Sequence, residues 1–361
     1  MTRTAGRLCG VKAAGIWIGS YTSDADGAGE GISRSVPRPG GLAPAALAAR
    51  TDSPSFLATH PALPVVYAVG EAAQTLTAFS VAEDDALTQL GEPQPAGVSA
   101  CHVAVDPDGR FAVVACWGDG QVIAYDLDPV TGAIGARHAA APAIDPHGAA
   151  AIAAPAPSAP RQSRAHASLF LPDGRVMTTD LGFDLARVWR WQQGTGLTLD
   201  HEVALAAGSG PRHLALHPNG TVYIVTEYSI EVLVLAPDAS GRFALASVVP
   251  VFAGGPHDGD AAAHITIDET AAHVHVTVRG SDRIAVLDVL DEGARLRPAG
   301  DVPCGGTWPR HHLQRDGVIH VANQLSNDIA TLRLDPATGI PDETIQTLST
   351  GSPTCLVPLA G

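Results

Sequence analysis

Arg212 and His213 stand just ahead of a short apolar run in "GSGPRHLALHPNGTVYIVTEY" (208–228); a Pro-Asn-Gly turn follows, and a second apolar run ends on Glu227. In an antiparallel hairpin, the first residue of one strand and the last of the next meet at the end away from the turn. An arginine beside a glutamate can hold an anion, stabilise charge developing on an oxygen, or orient a base. The same two slots recur in five other hairpins. They pair Ser55 with Glu71, His102 with Trp117, His166 with Asp180, His264 with Arg279 and Arg310 with Asn323, and the terminal segments add Thr22. Strand ends are normally polar and solvated, so no single member of the set carries weight. Gathered at one concave mouth, the set would be a ligand site.

Those hairpins must be positioned by a repeat. Residues 53–71, 101–120, 166–184, 208–228, 264–282 and 309–324 each contain an apolar run, a Pro/Asp/Gly turn and a second apolar run. A third run usually follows, as in "QVIAYDL", "EVLVLA" and "RIAVLDV". The turn residues Pro61, Pro107, Pro172, Pro218, Asp268 and Asp316 recur at about fifty residues, the signature of propeller blades. One interval is longer and holds an Ala/Pro-rich insertion, about 139–160, read as a surface loop. The C-terminal "SPTCLVPL" has the phase of a first strand and the N-terminal "GIWIGSYT" that of a second. Together they predict a seventh blade stitched from both termini, which closes the ring and hides its edges. The expected architecture is all-β, a seven-bladed β-propeller spanning residues 15–361 behind a tail of residues 1–14.

The bulk composition agrees. Of 361 residues, 45% are hydrophobic, enough for a sizeable core, and 38 Gly and 28 Pro punctuate short strands. The net charge of −15, with Lys12 the one lysine, argues against nucleic acid as a partner. Five scattered cysteines form neither a disulfide framework nor a zinc knuckle. No run reaches membrane-spanning length and residues 1–15 lack a signal-peptide core, so no membrane is expected and the cytoplasm is the expected compartment.

The motifs "GSYT", "PSFLATHP", "VYAVGE", "RQSRAHASLFLPDG", "TTDLG", "GSGPRHLALHPNG" and "PRHHLQRDG" run in order along the chain. In these the sequence resembles the lactonase family of seven-bladed β-propellers, which includes 6-phosphogluconolactonases and carboxymuconate lactonizing enzymes. The resemblance implies His166, Arg212, Glu227 and Arg279 as catalytic residues. The other ring positions, Glu71, His102, Asp180, His264 and Arg310, are expected to bind substrate. Arg164 stands where the family commonly has the first histidine of His-x-His, and His264 where it commonly has a glutamate.

Lactone opening needs an activated water, stabilisation of the carbonyl oxygen and a grip on the substrate. His166 or Glu227 could take the proton, and Arg212 or Arg279 could face the oxyanion. An arginine at its side weakens Glu227 as a base, which favours His166 for that role. The expected substrate is a small anionic or sugar lactone, with no metal and no cofactor, handled by a monomer. Two alternatives stay open: cyclisation of a muconate in the same pocket, and a non-catalytic binding propeller. The acidic "DADGAGEG" (24–31) lacks the last glutamate of a calcium loop, and "HVH" (273–275) brings two histidines to one face without a third ligand. No Gly-x-Ser-x-Gly or His-Glu-x-x-His occurs.

Overall fold

A computed structural model describes residues 15–38, 40–148 and 161–359. The tail of residues 1–14 and most of the Ala/Pro-rich insertion (149–160) therefore lie outside the described residues; the insertion's predicted start overlaps a strand, Ile134–Ala139. Seven antiparallel sheets form the blades. Their innermost strands, blades 1 to 7, are Pro353–Pro358, Pro54–Thr59, Ala100–Val105, Ala165–Phe170, Pro211–Leu216, Ala261–Ile267 and Pro309–Arg315. Each touches the innermost strand of the next blade, and the last touches the first, so the ring is closed around a channel.

Closure is made by both termini. Pro353–Pro358 pairs antiparallel with Ile16–Ser20, which continues outward to Ile32–Ser35 and Ala46–Ala49. In blade 2 the outer edge is split, and Leu87–Gln89 and Gln94–Pro95 both pair with Thr75–Val81.

The apolar runs explain the stacking. A blade is covered on both faces by its neighbours, so second strands such as "VVYAVG" (65–70) and "FAVVAC" (111–116) are buried throughout rather than alternating. Seven apolar cores result, one per blade interface. Between blades 3 and 4, Phe111 stacks on Trp191 at 4.1 Å, and the fully buried Trp189 donates its indole N–H to Thr178 Oγ1 at 2.9 Å. Trp189→Ala should cost about 3–5 kcal/mol, read from the urea midpoint, because the cavity forms in a packed interface and orphans a hydroxyl partner.

A polar device sets the next blade's entry. Asp184, with φ 54° after the second strand of blade 4, accepts from the backbone N–H of Gly208 (2.9 Å) and Gly210 (2.8 Å). Asp282 takes Trp308 N–H at 2.7 Å and Asn327 takes Ser352 N–H at 2.8 Å in the same manner. These side chains tie each incoming loop to the blade before it, and the loop from Gly208 leads straight into Arg212.

Candidate active site

The mouth of the channel is built by a repeated irregularity. In all seven blades the innermost strand carries one residue more than its neighbour at the mouth end. Such a bulge re-aims the side chain it inserts. The inserted residues are Thr354, Ser55, Cys101, Ala263 and Arg310 in five blades; in blades 4 and 5 the extra residue falls within His166–Ala167 and Arg212–His213, and the equivalent positions there are His166 and Arg212. All but Ala263 line one narrow cleft, together with Glu71, Phe56 and His213.

Register decides which predicted residues reach that cleft. Glu71, His166, Arg212 and Arg310 do. His102 and His264 do not: in their strands the bulge gives the mouth positions to Cys101 and Ala263. A one-residue offset also affects the second strands: the end slot holds Tyr21, Leu181 and Gln324 rather than Thr22, Asp180 and Asn323. Asp180 instead organises its own hairpin, accepting from Arg164 N–H (2.8 Å), Phe183 N–H (2.9 Å) and the Ser163 hydroxyl. Glu227 and Arg279 occupy the end slot and stand directly behind Arg212.

The charges form a tight relay. Arg212 donates through Nε to Glu227 Oε2 at 2.9 Å and through Nη1 to the carbonyl of Ala263. Its own carbonyl accepts from Thr179 Oγ1 at 2.6 Å. Arg279 reaches the same Glu227 Oε2 at 2.9 Å, and the carbonyls of Ala261 and Ala262 at 3.2 Å. Burial disfavours the charge of Glu227, but Arg212 and Arg279 outweigh it and hold its carboxyl below the usual range. Burial and the nearby Arg279 bring Arg212 down to about 9, still cationic at neutral pH. Arg310 is less occupied. Its guanidinium donates to Gln324 Oε1 at 3.2 Å, lies over the Tyr21 ring at 5.0 Å, and makes no ion pair among the described residues.

His166 is buried, and its Nδ1 has no hydrogen-bond partner among the described residues. Burial, Arg212 and His102 push its pKa well below the ordinary histidine value, so the ring is neutral. Beneath it the channel is plugged. His213 meets His166 at 5.3 Å, His264 at 5.0 Å and His102 at 5.6 Å, His264 stacks on His311 at 3.7 Å, and Phe56 covers His102 at 4.2 Å. Apart from His166, each of these residues follows an inserted one or its equivalent, so the bulge sets an aromatic floor beneath the polar mouth, with Phe56 and His213 reaching the cleft from it.

Sequence reasoning missed Tyr21, Cys101 and Asp184, and it placed His102 and His264 at the mouth without seeing that they join His213 and His311 in a floor below it. Tyr21 and Cys101 lie next to residues that were selected, and counting the bulge would have found them. Elsewhere, "HVH" serves the scaffold: His273 Nδ1 pairs with Asp268 at 2.8 Å and His275 Nε2 with the Gly339 carbonyl at 2.7 Å.

A closed seven-bladed ring with a cationic cleft at one mouth defines a class of propeller proteins. Residues 15–358 match the family described as lactonase, 7-bladed beta-propeller, and the chain belongs to that family. It is 27% identical over 327 residues to a protein of Bacillus subtilis named 6-phosphogluconolactonase, covering 86% of this chain and 88% of that one. Among solved structures, a Lactobacillus plantarum protein superposes with a TM-score of 0.84 at 22% identity, covering 96% of this chain and 99% of that one. A periplasmic gluconolactonase of Pseudomonas aeruginosa gives 0.82 at 22% identity with the same coverage. Those two likenesses speak to the fold.

Proposed function

We propose that the protein is a lactone hydrolase acting on a small anionic sugar lactone of the 6-phosphogluconolactone type. The observation that carries this reading is the convergence of Arg212, Arg310, His166 and Glu71 on one cleft, inside a chain of net charge −15. A local cationic site in an acidic protein is what selects an anion against the global field. Arg212, immobilised by Glu227 and the Ala263 carbonyl, is placed to stabilise the oxyanion without reorganising. Glu227 acts as the group that orients both arginines. The B. subtilis relative's name supports the hydrolytic reading over muconate cyclisation. The same reading takes the protein as a monomer, which suits a ring closed within one chain. It also places the protein in the cytoplasm, which suits the free thiols of Cys101, Cys116, Cys304 and Cys355. No helix among the described residues is long and apolar enough to cross a membrane.

The test is hydrolysis of freshly generated 6-phosphogluconolactone beside gluconolactone, with spontaneous opening subtracted. Acceleration of the phosphorylated lactone is expected; no acceleration of either would overturn the reading. Arg310, the arginine in the cleft that makes no ion pair among the described residues, is assigned the substrate's anionic group. Arg310→Met should raise KM for the phosphorylated lactone by about 10- to 100-fold, the worth of one charge-assisted hydrogen bond. Its effect on gluconolactone should be small.

A further inference from the structure

Lactone opening at this cleft needs a base, and the groups at the mouth can be sorted by what already occupies them. Glu227 holds two arginines on one oxygen and stands outside the cleft lining. His166 lines the cleft, but a ring held so far toward its neutral form offers little driving force for taking a proton from water. The Cys101 thiol faces the cleft as well; burial pushes its pKa well up, so it stays protonated, and its Sγ lies 3.4 Å from the His166 carbonyl. Asp180 is consumed by its own hairpin.

Glu71 is different. It lines the cleft with His166 and Arg212, and it makes no ion pair with an arginine among the described residues. Its Oε2 accepts the Tyr21 phenol at 2.9 Å, and no described residue donates to its Oε1. Tyr21 is itself buried, and burial raises its pKa, so the phenol keeps the proton it donates. In the repeat, Glu71 occupies in blade 2 the slot that Glu227 occupies in blade 5. Two equivalent carboxylates thus sit in unlike surroundings, one pinned between arginines and one open to the cleft. Such divergence is how one fold assigns two roles to the same residue type.

We propose that Glu71 is the general base of the reaction and Tyr21 the residue that positions it; the inference rests on the lactone-hydrolysis reading above. A water held by Glu71 Oε1 attacks the lactone carbonyl carbon while Glu71 takes one of its protons. The carbonyl π pair moves to oxygen, facing Arg212. When the intermediate collapses, the ring C–O bond breaks and the alkoxide leaves with the proton returned from Glu71. One lactone and one water give one hydroxy acid, which then loses its acidic proton to solvent, and Glu71 ends as it began.

The experiment compares the full chain with Glu71→Gln, Glu71→Asp, Tyr21→Phe and His166→Ala on 6-phosphogluconolactone, each checked by circular dichroism and melting temperature. Glu71→Gln should lower kcat on the order of 10²-fold or more, the usual worth of a positioned base, with KM moved less than about threefold. Glu71→Asp should recover part of the loss, because the carboxylate is kept and only withdrawn by one methylene. Tyr21→Phe should lower kcat by several-fold through misplacement, with KM again little changed. Glu71→Gln with kcat within about threefold of wild type, or a loss carried by KM alone, overturns the proposal; so does His166→Ala abolishing turnover while Glu71→Gln retains it. No acceleration by the wild-type chain on either lactone would instead overturn the lactone reading, and the role of Glu71 with it.

Discussion

Replacing Arg212 by alanine should lower kcat/KM for 6-phosphogluconolactone by about 10³-fold, measured well below the melting transition. Loss of a preorganised donor to a developing oxyanion typically costs 10²–10³ in rate. Arg212 does more than donate: with its side chain gone, Glu227 is left with Arg279 as its ion-pair partner among the described residues, and the Ala263 carbonyl loses a donor. Arg212→Lys should not restore the rate. A lysine retains the charge but has no planar fork to meet Glu227 and a backbone carbonyl together. The arginine is also 3% exposed, so its removal breaks a buried pair and should lower the melting temperature. Activity of Arg212→Ala within tenfold of wild type would show that the oxyanion is stabilised elsewhere.

Acid should unfold this protein early, and the histidine floor is the reason. Burial pushes His102 and His311 each down to about 3, with Arg212 adding to both. His213, His264 and the fully buried His312, which meets His264 at 4.6 Å, are likewise driven well below the ordinary value, burial first and neighbouring cations and rings after it. The sign follows from linkage. In the unfolded chain a histidine takes up a proton near pH 6.5, whereas these folded ones stay neutral. Their contribution is therefore intact above about pH 6.5 and is lost as pH falls toward the folded value of about 3 for His102 and His311.

Each such ring removes about 1.4 kcal/mol per pH unit below the unfolded value, so those two alone cost about 3 kcal/mol by pH 5.5. That is a large fraction of a total stability of about 5–15 kcal/mol, and the other buried rings act in the same direction, so mild acid should unfold the propeller. Urea midpoints taken from pH 8 to pH 4 should fall steadily below about 6.5. His311→Leu should flatten that fall, although the Leu356 N–H then loses its acceptor at 3.3 Å. A stability profile level down to pH 5 would show that the rings are protonated in place.

Much of this molecule is determined by local sequence. Apolar runs of strand length, Pro/Asp/Gly turns and a period of about fifty residues give blades wherever they occur, because strand and turn preferences act within a few residues. The stitching of "SPTCLVPL" to "GIWIGSYT" was legible for the same reason, since each end carries the phase of the strand it becomes. The pairing of Arg212 with Glu227 was legible because both belong to one hairpin.

The composition of the cleft was not. Nothing in "ACHVAV" or "AAAHITI" says that Cys101 and Ala263, rather than His102 and His264, take the mouth position; one inserted residue per strand decides it, and its place follows from pairing with the adjacent strand. Nor could the sequence tell Glu71 from Glu227. They fill the same slot of the repeat, and only the packing of each blade against the next brings Arg279 of blade 6 onto Glu227 of blade 5 and Tyr21 of blade 1 onto Glu71 of blade 2. Residue type and period are local properties, whereas which charges neutralise one another depends on how neighbouring blades pack, between side chains about fifty residues apart.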